Sequence, residues 1–195
     1  MKELLEAGGL IVYPTSTLPG LGCLPNEKSL DLLFKTKNRP KNKPVSLGVQ
    51  SLSQAEKIVY VPNCAKDLLG FFPRGSITII LPSLQTLDKR LGGDNVAIRV
   101  FDHPKAITIA TEVGPITATS ANKTGEMPLN NTLDAALSLG LSKENVIPGI
   151  CTGGLGSTLI QLETNHTESS GWSLSIMREG VVPCEDVVRC WTTQV

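Results

Sequence analysis

The sequence predicts an α/β or α+β fold built on a mixed sheet. Two observations predict this class. Short apolar runs that contain β-branched residues, a pattern typical of buried strands, recur along the whole chain. Segments with apolar residues at helical spacing separate most of these runs. The 195 residues show no internal repeat and no low-complexity linker, so we interpret residues 1–195 as a single domain.

Strands are predicted from apolar runs that end at glycine, proline or polar residues. The first run stops at Pro14, and the run around Ile79 is the most strongly β-branched, although Thr78 interrupts it. About seven strands are expected from this pattern. The candidate runs are eight, of which the one at 146–147 is the shortest, and they lie within residues 10–13, 45–49, 77–81, 95–100, 114–119, 146–147, 157–162 and 174–177.

Helices are predicted where apolar residues recur at helical spacing after a capping residue. Asn26 precedes Leu30, Leu33 and Phe34, and His103 stands before Pro104 at the start of another such segment. Helices are expected over 2–7, from Asn26 through Phe34, over 55–59 after a Ser53 cap, over 64–72, from His103 to Val113, over 133–139 after Asn131 or Thr132, and over 185–191. The polar residues 163–172 are expected to form a mobile loop.

Composition narrows the class of protein. Eighteen Lys and Arg balance eighteen Asp and Glu, and aromatic residues make up 4%, which argues against bulk attraction to nucleic acid and against base-stacking surfaces. The five cysteines contain no C-x-x-C pair, so structural zinc and a disulfide framework are poorly supported. Neither a signal peptide nor a membrane span is evident, and we expect a cytoplasmic protein.

Polar groups lie beside one end of several predicted strands. Hydroxyls come after Tyr13 and in the segments at 119–120 and 156–158, while Arg178 and Glu179 follow the last strand. Loops at strand ends are where α/β proteins build ligand sites. Besides the hydroxyls, this inventory contains Lys37, Arg39, Lys43, Arg99, Asn122 and Arg178.

This inventory is rich in donors for phosphate and carboxylate groups, and Glu179 is its one acid. It therefore predicts a site that works by binding, orientation and charge neutralisation, as in phosphate-transfer chemistry. The sequence has no G-x-x-x-x-G-K-[ST] and no G-x-G-x-x-G motif, and no histidine pattern accompanies a cysteine.

Together these segments resemble the YrdC-like family, the threonylcarbamoyl-adenylate synthases. The matching segments cover about residues 9–180 in the family's order. They are the Thr-rich turn at 13–17 with Gly20-Leu-Gly22, Lys37-Asn-Arg-Pro with Lys43-Pro44, residues 75–78, 96–100 and 102–104, Thr119-Ser-Ala-Asn-Lys-Thr-Gly125, Ser157-Thr158-Leu, and Arg178-Glu-Gly180.

The resemblance implies a twisted mixed sheet with flanking helices around a large basic cavity. It also implies a nucleotidyltransferase that converts ATP, L-threonine and bicarbonate to threonylcarbamoyl-adenylate and pyrophosphate, with Mg²⁺ accompanying the ATP. A partner would then transfer the threonylcarbamoyl group to adenosine 37 of tRNA. The absence of a second domain resembles the family's short form.

The resemblance also implies roles for individual residues. Thr17 and Ser157 would contact threonine, and Lys37 and Arg39 would face the ATP phosphates and position the reacting groups, with no acid/base residue. The remaining ATP contacts would be Lys43, Thr78, Ser120, Asn122 and Arg178, with Arg99 as an additional cation.

Three positions and one segment depart from the family's usual pattern. Ser16 stands where an acid is usual, Pro19 where an aromatic residue is usual, and Gly48 at about the place where longer relatives have histidine. A Pro-Gly-Pro-x-Thr segment is replaced by residues 73–78. These departures concern the threonine pocket more than the ATP site.

Two other functions compete with the synthase. One is a non-catalytic module of the same fold that binds double-stranded RNA or tRNA, against which the neutral charge and scarce aromatics count. The other is a carbamoyl-adenylate enzyme of the hydrogenase-maturation type, which would carry zinc-finger regions that this sequence lacks.

Overall fold

The computed structural model describes residues 1–168 and 170–194. Its α-helices are α1 (Lys2–Glu6), α2 (Glu27–Thr36), α3 (Leu52–Ala55), α4 (Asn63–Phe71), α5 (Pro104–Val113), α6 (Thr132–Ser138) and α7 (Cys184–Gln194). Its strands are β1 (Ile11–Tyr13), β2 (Gly20–Gly22), β3 (Leu47–Val49), β4 (Ile77–Pro82), β5 (Asn95–Val100), β6 (Ile116–Thr117), β7 (Thr119–Ser120), β8 (Thr158–Thr164) and β9 (Trp172–Arg178). None of the helices in these ranges is long and apolar enough to cross a membrane.

The larger sheet has six strands in the order β6-β3-β5-β4-β8-β9. The pairs β3–β5 and β4–β8 are parallel, whereas the other neighbours are antiparallel. This mixed sheet with helices confirms the predicted fold class. No residue of β4 is exposed, and Asn95 is the one exposed residue of β5. Both faces of these strands are therefore covered at least in part, which explains why their sequences are mostly apolar.

The smaller sheet joins β1, β2 and β7, and β2 is a strand that is missing from those predicted from the sequence. Tyr13 pairs with Gly20 and Ile11 pairs with Gly22 in an antiparallel hairpin. The Tyr13 ring lies over both glycines, where an added Cβ would come within 2.6 Å of the ring at Gly20 and 2.8 Å at Gly22. The glycines are therefore strand residues that make room for an aromatic ring.

The segment predicted as one strand over 114–119 is divided between the two sheets. β6 pairs with β3 in the larger sheet, and β7 pairs with β2 in the smaller one. Ala118 lies at the division, where its N–H donates to the Ser46 carbonyl oxygen at 2.8 Å and its own carbonyl accepts from the Ser46 hydroxyl at 2.7 Å. This crossing brings the edges of both sheets to a common region.

Two buried clusters support the sheets. The larger contains α2, α4 and α6 residues against the strands, including Leu33, Leu68 and Ala135. The smaller lies under α1 and α5 and contains Tyr13 and Phe101, whose rings pack edge to face with centroids 5.5 Å apart. These cores fix the strand ends from which the candidate site is built.

Helix caps agree with the sequence in most places. The side chain of Asn26 accepts from the Ser29 N–H, that of His103 from the Lys105 N–H, and that of Asn131 from the first turn of α6. The Ser53 cap was wrong, because Ser51 caps a shorter α3 by accepting from Gln54. The capping residue stands just before the helix and has an extended backbone, and in α3 this residue is Ser51.

The remaining corrections concern lengths. The expected strand at 146–147 is reduced to a single bridge between Val146 and Val12. The expected loop over 163–172 is shorter, since β8 extends to Thr164 and β9 begins at Trp172 in an antiparallel pair. The prediction of a mobile loop falls partly on Ser169, which lies outside the described residues.

Candidate active site

A cavity of about 380 Å³ lies where the two sheets meet. Its walls come from the turn after β1, the loop after α2, and strands β4, β5, β7 and β8, with the end of β9. The volume falls within the range of small-molecule sites. Most of the residues predicted for the site line it: Thr17, Arg39, Thr78, Arg99, Ser120, Ser157 and Arg178.

Three guanidinium groups face this cavity, and protein carbonyls hold each of them. Arg99 donates from Nε to the Gly75 carbonyl at 2.9 Å and from Nη2 to the Thr17 hydroxyl at 2.8 Å. Arg178 donates from Nη2 to the Ser157 carbonyl at 2.8 Å. In the described part of the chain, no ion pair joins these guanidiniums to a carboxylate.

Arg39 is held in the same way. Its Nε donates to the Lys43 carbonyl at 2.6 Å and its Nη2 to the Pro44 carbonyl at 2.8 Å, which closes the loop after α2. Pro40 and Pro44 end helical structure here and leave the Lys43 and Pro44 carbonyls available as acceptors. The loop thus aims a cation at the cavity without an acidic partner.

The charges of these groups act on one another. Burial lowers the pKa of Arg39, and the positive charge of Arg178 lowers it further. Burial also lowers the pKa of Arg99, an effect that nearby Tyr13 opposes and Arg178 reinforces. Mutual repulsion of this kind is relieved when an anion enters, so the arrangement favours phosphate or carboxylate binding.

Hydroxyl groups form the other polar wall. The Thr78 and Ser157 hydroxyl oxygens are 2.6 Å apart, because β4 and β8 run in parallel beside each other. In the turn after β1, the Thr15 hydroxyl donates to the Leu18 carbonyl at 2.7 Å and accepts from the Thr17 N–H at 3.2 Å. This local bonding fixes the Thr17 hydroxyl against Arg99.

Lys37 is placed behind the cavity wall rather than in its lining. The buried ammonium group donates to the carbonyl oxygens of Ser120 and, at 2.5 Å, Asn122. Burial lowers the pKa of Lys37 to about 8, and Arg39 adds to the effect. Lys37 therefore holds the turn that presents Ser120 to the cavity, and its contact with phosphate stays a prediction.

Asn122 and Lys43 are also absent from the lining within the described residues. The Asn122 amide group donates to the Glu126 carbonyl at 2.7 Å, while its Oδ1 is buried without a hydrogen-bond partner. Lys43 contributes its backbone carbonyl to Arg39, and its side chain is exposed. Their predicted contacts with ATP stay predictions.

Several lining residues were missed by the sequence reasoning. Apolar walls come from Pro128 and Leu155, and polar atoms from Thr15 and Ser46. Thr15 belongs to the same Thr-rich turn as Thr17, so its place in that turn could have predicted that it lines the cavity. Ser46, Pro128 and Leu155 carry no such signal, because only the long-range pairing of strands brings them to the cavity.

The departures from the usual family pattern have visible structural consequences. The Phe101 ring fills the space above Gly48, where an added Cβ would come within 1.8 Å of it. Ser16 lies against Gly75, whose added Cβ would be 2.5 Å from the Ser16 hydroxyl oxygen. Pro19 lines the cavity, and its carbonyl accepts from the Ala121 N–H at 2.8 Å.

The model of a family that comprises Sua5, YciO and YrdC, described as "Telomere recombination", matches residues 3–180. The chain belongs to the Sua5/YciO/YrdC family. This confirms the resemblance seen in the motifs. The match covers both sheets and every wall of the cavity, and it ends before α7.

Two relatives and one solved structure of this family illustrate the similarity. A protein of Methanocaldococcus jannaschii is 33% identical over 193 residues, which are 97% of this chain and 87% of that protein. The threonylcarbamoyl-AMP synthase of Hydrogenovibrio crunogenus is 35% identical over 141 residues, or 68% of this chain and 75% of that one.

The solved structure is that of Pyrococcus abyssi Sua5 complexed with L-threonine, which superimposes with a TM-score of 0.81 at 27% identity. The superposition covers 97% of this chain but 55% of the Pyrococcus protein. This chain therefore spans about half the length of that Sua5 and corresponds to one part of it.

Proposed function

We propose that this chain is a threonylcarbamoyl-AMP synthase, a nucleotidyltransferase that joins ATP, L-threonine and bicarbonate. The observation that carries the proposal is the cavity at the junction of the sheets, where Arg39, Arg99 and Arg178 converge without a carboxylate partner in the described residues. Membership of the Sua5/YciO/YrdC family, and the name of the Hydrogenovibrio relative, support this activity.

The proposed reaction forms two bonds. The threonine nitrogen bonds to the bicarbonate carbon with loss of water, which gives a carbamate. A carbamate oxygen then bonds to the α-phosphorus of ATP, and the bond to pyrophosphate breaks. Negative charge accumulates on the leaving pyrophosphate, so fixed guanidiniums beside it would lower the barrier.

The assignment of residues follows the chemistry of each wall. Arg39 and Arg178 would bind the phosphates, with Lys37 and Lys43 adding positive charge behind them. Thr78, Ser120 and Asn122 would complete the nucleotide contacts through their hydroxyl and amide groups. Catalysis would come from positioning, since Glu179 is the single acid among the described lining residues.

Threonine would bind near Thr17 and Ser157. Both hydroxyls line the cavity, and Arg99 donates to the Thr17 hydroxyl, which places a guanidinium beside an amino-acid carboxylate bound there. The complex of Pyrococcus abyssi Sua5 with L-threonine supports threonine as the amino acid. Bicarbonate would then meet the threonine nitrogen within the same cationic field.

Magnesium would enter as part of the ATP substrate. Within residues 1–168 and 170–194, no three His, Cys, Asp or Glu side chains come together as ligands for a metal ion. A Mg²⁺ ion that keeps its waters and binds chiefly to phosphate oxygens fits hydroxyl walls such as those of Thr78 and Ser157. The product, a reactive mixed anhydride, would pass to a transferase that acts on adenosine 37 of tRNA.

Pyrophosphate release by the intact chain tests the proposal. Release that requires ATP, L-threonine and bicarbonate together, with serine as the comparison amino acid, is the expected result. RNA binding without any release would contradict the proposal and favour a binding module. A cavity of about 380 Å³ is the size of a small-molecule site and does not admit a nucleic-acid duplex.

A matched pair of variants tests the anion site itself. Arg178→Gln removes a guanidinium from the cavity, whereas Arg189→Gln removes one from α7 that pairs with Asp186 at the surface. We expect Arg178→Gln to raise the KM for ATP about tenfold or more, the effect of losing a hydrogen bond to a charged group. Arg189→Gln should match the wild type, and equal KM values for the two variants would refute the assignment.

A further inference from the structure

Glu179 lines the cavity, but its carboxylate is bonded to the last helix and not to a guanidinium. Glu179 directly follows Arg178, and both residues are exposed and line the same cavity. Its Oε2 accepts the backbone N–H of Cys184 at 2.8 Å. Cys184 is the first residue of α7, so the single acid of the described lining is tied to the start of the last helix.

Two donors of Cys184 act on this carboxylate. The pKa of Glu179 is below its ordinary value because the side chain of Cys184 and then its backbone N–H donate to the charged form. The positive end of the dipole of α7, a helix of eleven residues, also favours the charged form of this carboxylate. The carboxylate therefore stays ionised and has a fixed place outside the cluster of arginines.

The donor is fixed because α7 is anchored at its start and along its length. The Thr158 hydroxyl donates to the Val182 carbonyl at 2.6 Å and accepts the Val182 N–H at 3.1 Å, which ties the approach to the helix to β8. Val187 and Cys190 on the helix itself are buried. These contacts hold the start of α7 in place, so the Cys184 N–H stays at a fixed position relative to β8.

Without this tie, the carboxylate would be free to turn toward the guanidiniums of the cavity. Arg178 is its neighbour in sequence, and Arg39 and Arg99 face the same space. An ionised carboxylate bonds guanidinium groups strongly, and such a pair would neutralise part of the positive charge that attracts phosphate. The bond to α7 thus competes with a self-inhibiting contact.

We propose that the backbone N–H of Cys184 and the carboxylate of Glu179 form a positioning pair that keeps the anion cavity positively charged. This role is one of positioning, because the pair acts on the charge of the cavity and takes no part in the bonds that form or break. The inference rests on the proposed function only in taking a phosphate-bearing ligand as the anion. It gives α7, which the family match does not include, a part in ligand binding.

The test uses the binding of inorganic pyrophosphate, measured by calorimetry on the full chain without threonine or bicarbonate. Cys184→Ser keeps an O–H and the N–H, Cys184→Ala keeps the N–H alone, and Cys184→Pro removes both donors. Proline is favoured at the first position of a helix, so α7 can form in this variant. Glu179→Gln in the Cys184→Pro background removes the competing charge.

We expect Cys184→Pro to weaken pyrophosphate binding about three- to fivefold, the effect of one exposed ion pair. Cys184→Ser should bind like the wild type, and Cys184→Ala should fall between them. The double variant should regain wild-type affinity, because a neutral amide cannot pair with the arginines. The loss should shrink at 1 M salt, which screens exposed charges.

Each of the following outcomes would overturn the inference. Equal affinity of Cys184→Pro and Cys184→Ser would show that the tie has no effect on the cavity. A double variant as weak as Cys184→Pro, or a loss that persists at 1 M salt, would show structural damage instead. Should Cys184→Pro not fold, Glu179→Asp replaces it, because the side chain that is one methylene shorter keeps the charge but loses the bond to the Cys184 N–H. Wild-type affinity of Glu179→Asp then decides against the inference. Failure of the wild type to bind pyrophosphate would overturn the anion site and this inference together.

Discussion

The ammonium group of Lys37 donates to the backbone carbonyl of Asn122 at 2.5 Å, across 85 residues of sequence. A second bond joins it to the Ser120 carbonyl. The Lys37 carbonyl in turn accepts the Thr124 N–H at 2.8 Å. One lysine at the end of α2 therefore fastens the whole turn after β7 and, through Ser120, one wall of the cavity.

Replacing Lys37 should destabilise the chain. Lys37→Met keeps the length of the side chain but leaves two partly buried carbonyl oxygens without their donor, which costs about 1–3 kcal/mol. Lys43→Met, at an exposed lysine six residues away, should change the free energy of unfolding by less than about 0.5 kcal/mol. Urea unfolding of both variants checks this, and a Lys37→Met protein as stable as Lys43→Met would show that the bonds are unimportant.

The same lysine should give the stability a dependence on pH. Burial lowers the pKa of Lys37 to about 8, whereas lysine in an unfolded chain titrates near ~10.4. Between these values the unfolded chain binds more protons, so the Lys37 contribution to the free energy of unfolding increases with pH. The free energy of unfolding of the wild type minus that of Lys37→Met should therefore rise from pH 8 to pH 10, by at most about 1.4 kcal/mol per pH unit.

Subtracting the free energy of unfolding of Lys37→Met from that of the wild type removes the pH dependence that other titratable groups give to both proteins. Burial raises the pKa of Cys23 to about 11, which makes stability fall with rising pH in both proteins alike. Denaturant unfolding at closely spaced pH values measures the difference. A difference that stays flat between pH 8 and pH 10 would contradict the lowered pKa of Lys37.

Thr17 should matter for both stability and amino-acid binding. Its hydroxyl accepts from the buried guanidinium of Arg99, and Thr17→Val removes that acceptor with little change in volume. We expect a loss of about 1–3 kcal/mol in the free energy of unfolding and a raised KM for threonine. Thr17→Ser keeps the hydroxyl and serves as the control. Equal stability of the valine and serine variants would refute the role of this bond.

Two glycines should respond in opposite directions to alanine. At Gly48, an added Cβ would overlap the Phe101 ring, so Gly48→Ala should lower stability by about 1–3 kcal/mol. Gly70 lies within α4 with no atom within 4 Å of an added Cβ, so Gly70→Ala should raise stability by about 0.5–1 kcal/mol. Thermal and urea unfolding measure both, and a neutral Gly48→Ala would mean that the ring moves aside freely.

Residue types and local spacing were sufficient for the fold class and for most of the cavity. Thr17, Ser120 and Arg178 were found because polar groups at the ends of apolar runs are brought together by the sheet. Caps such as Asn26 and His103 were found because capping depends on residues two or three positions away. These features are encoded within short stretches of sequence.

The rest depends on contacts between distant residues. The strand β2 has two glycines and low strand propensity, and it is a strand because it pairs with β1 and with the distant β7, while its glycines leave room for the Tyr13 ring. The composition near Lys37 showed a cation beside a predicted anion site, but nothing local shows that its partners are carbonyls beyond residue 119. The order of the six strands likewise depends on pairings such as Thr78 with Leu159.

The parallel pairing of β4 with β8 has a consequence for synthesis on the ribosome. Thr78 is synthesised before its partner Ser157, and the lining of the cavity is complete only after Arg178, at the end of β9, has been synthesised. Domains emerge and fold from the N-terminus, and pairings over such separations form slowly. A nascent chain that stops short of Arg178 therefore lacks one of the three guanidiniums that line the cavity, so the anion site is complete only after most of the chain has been translated.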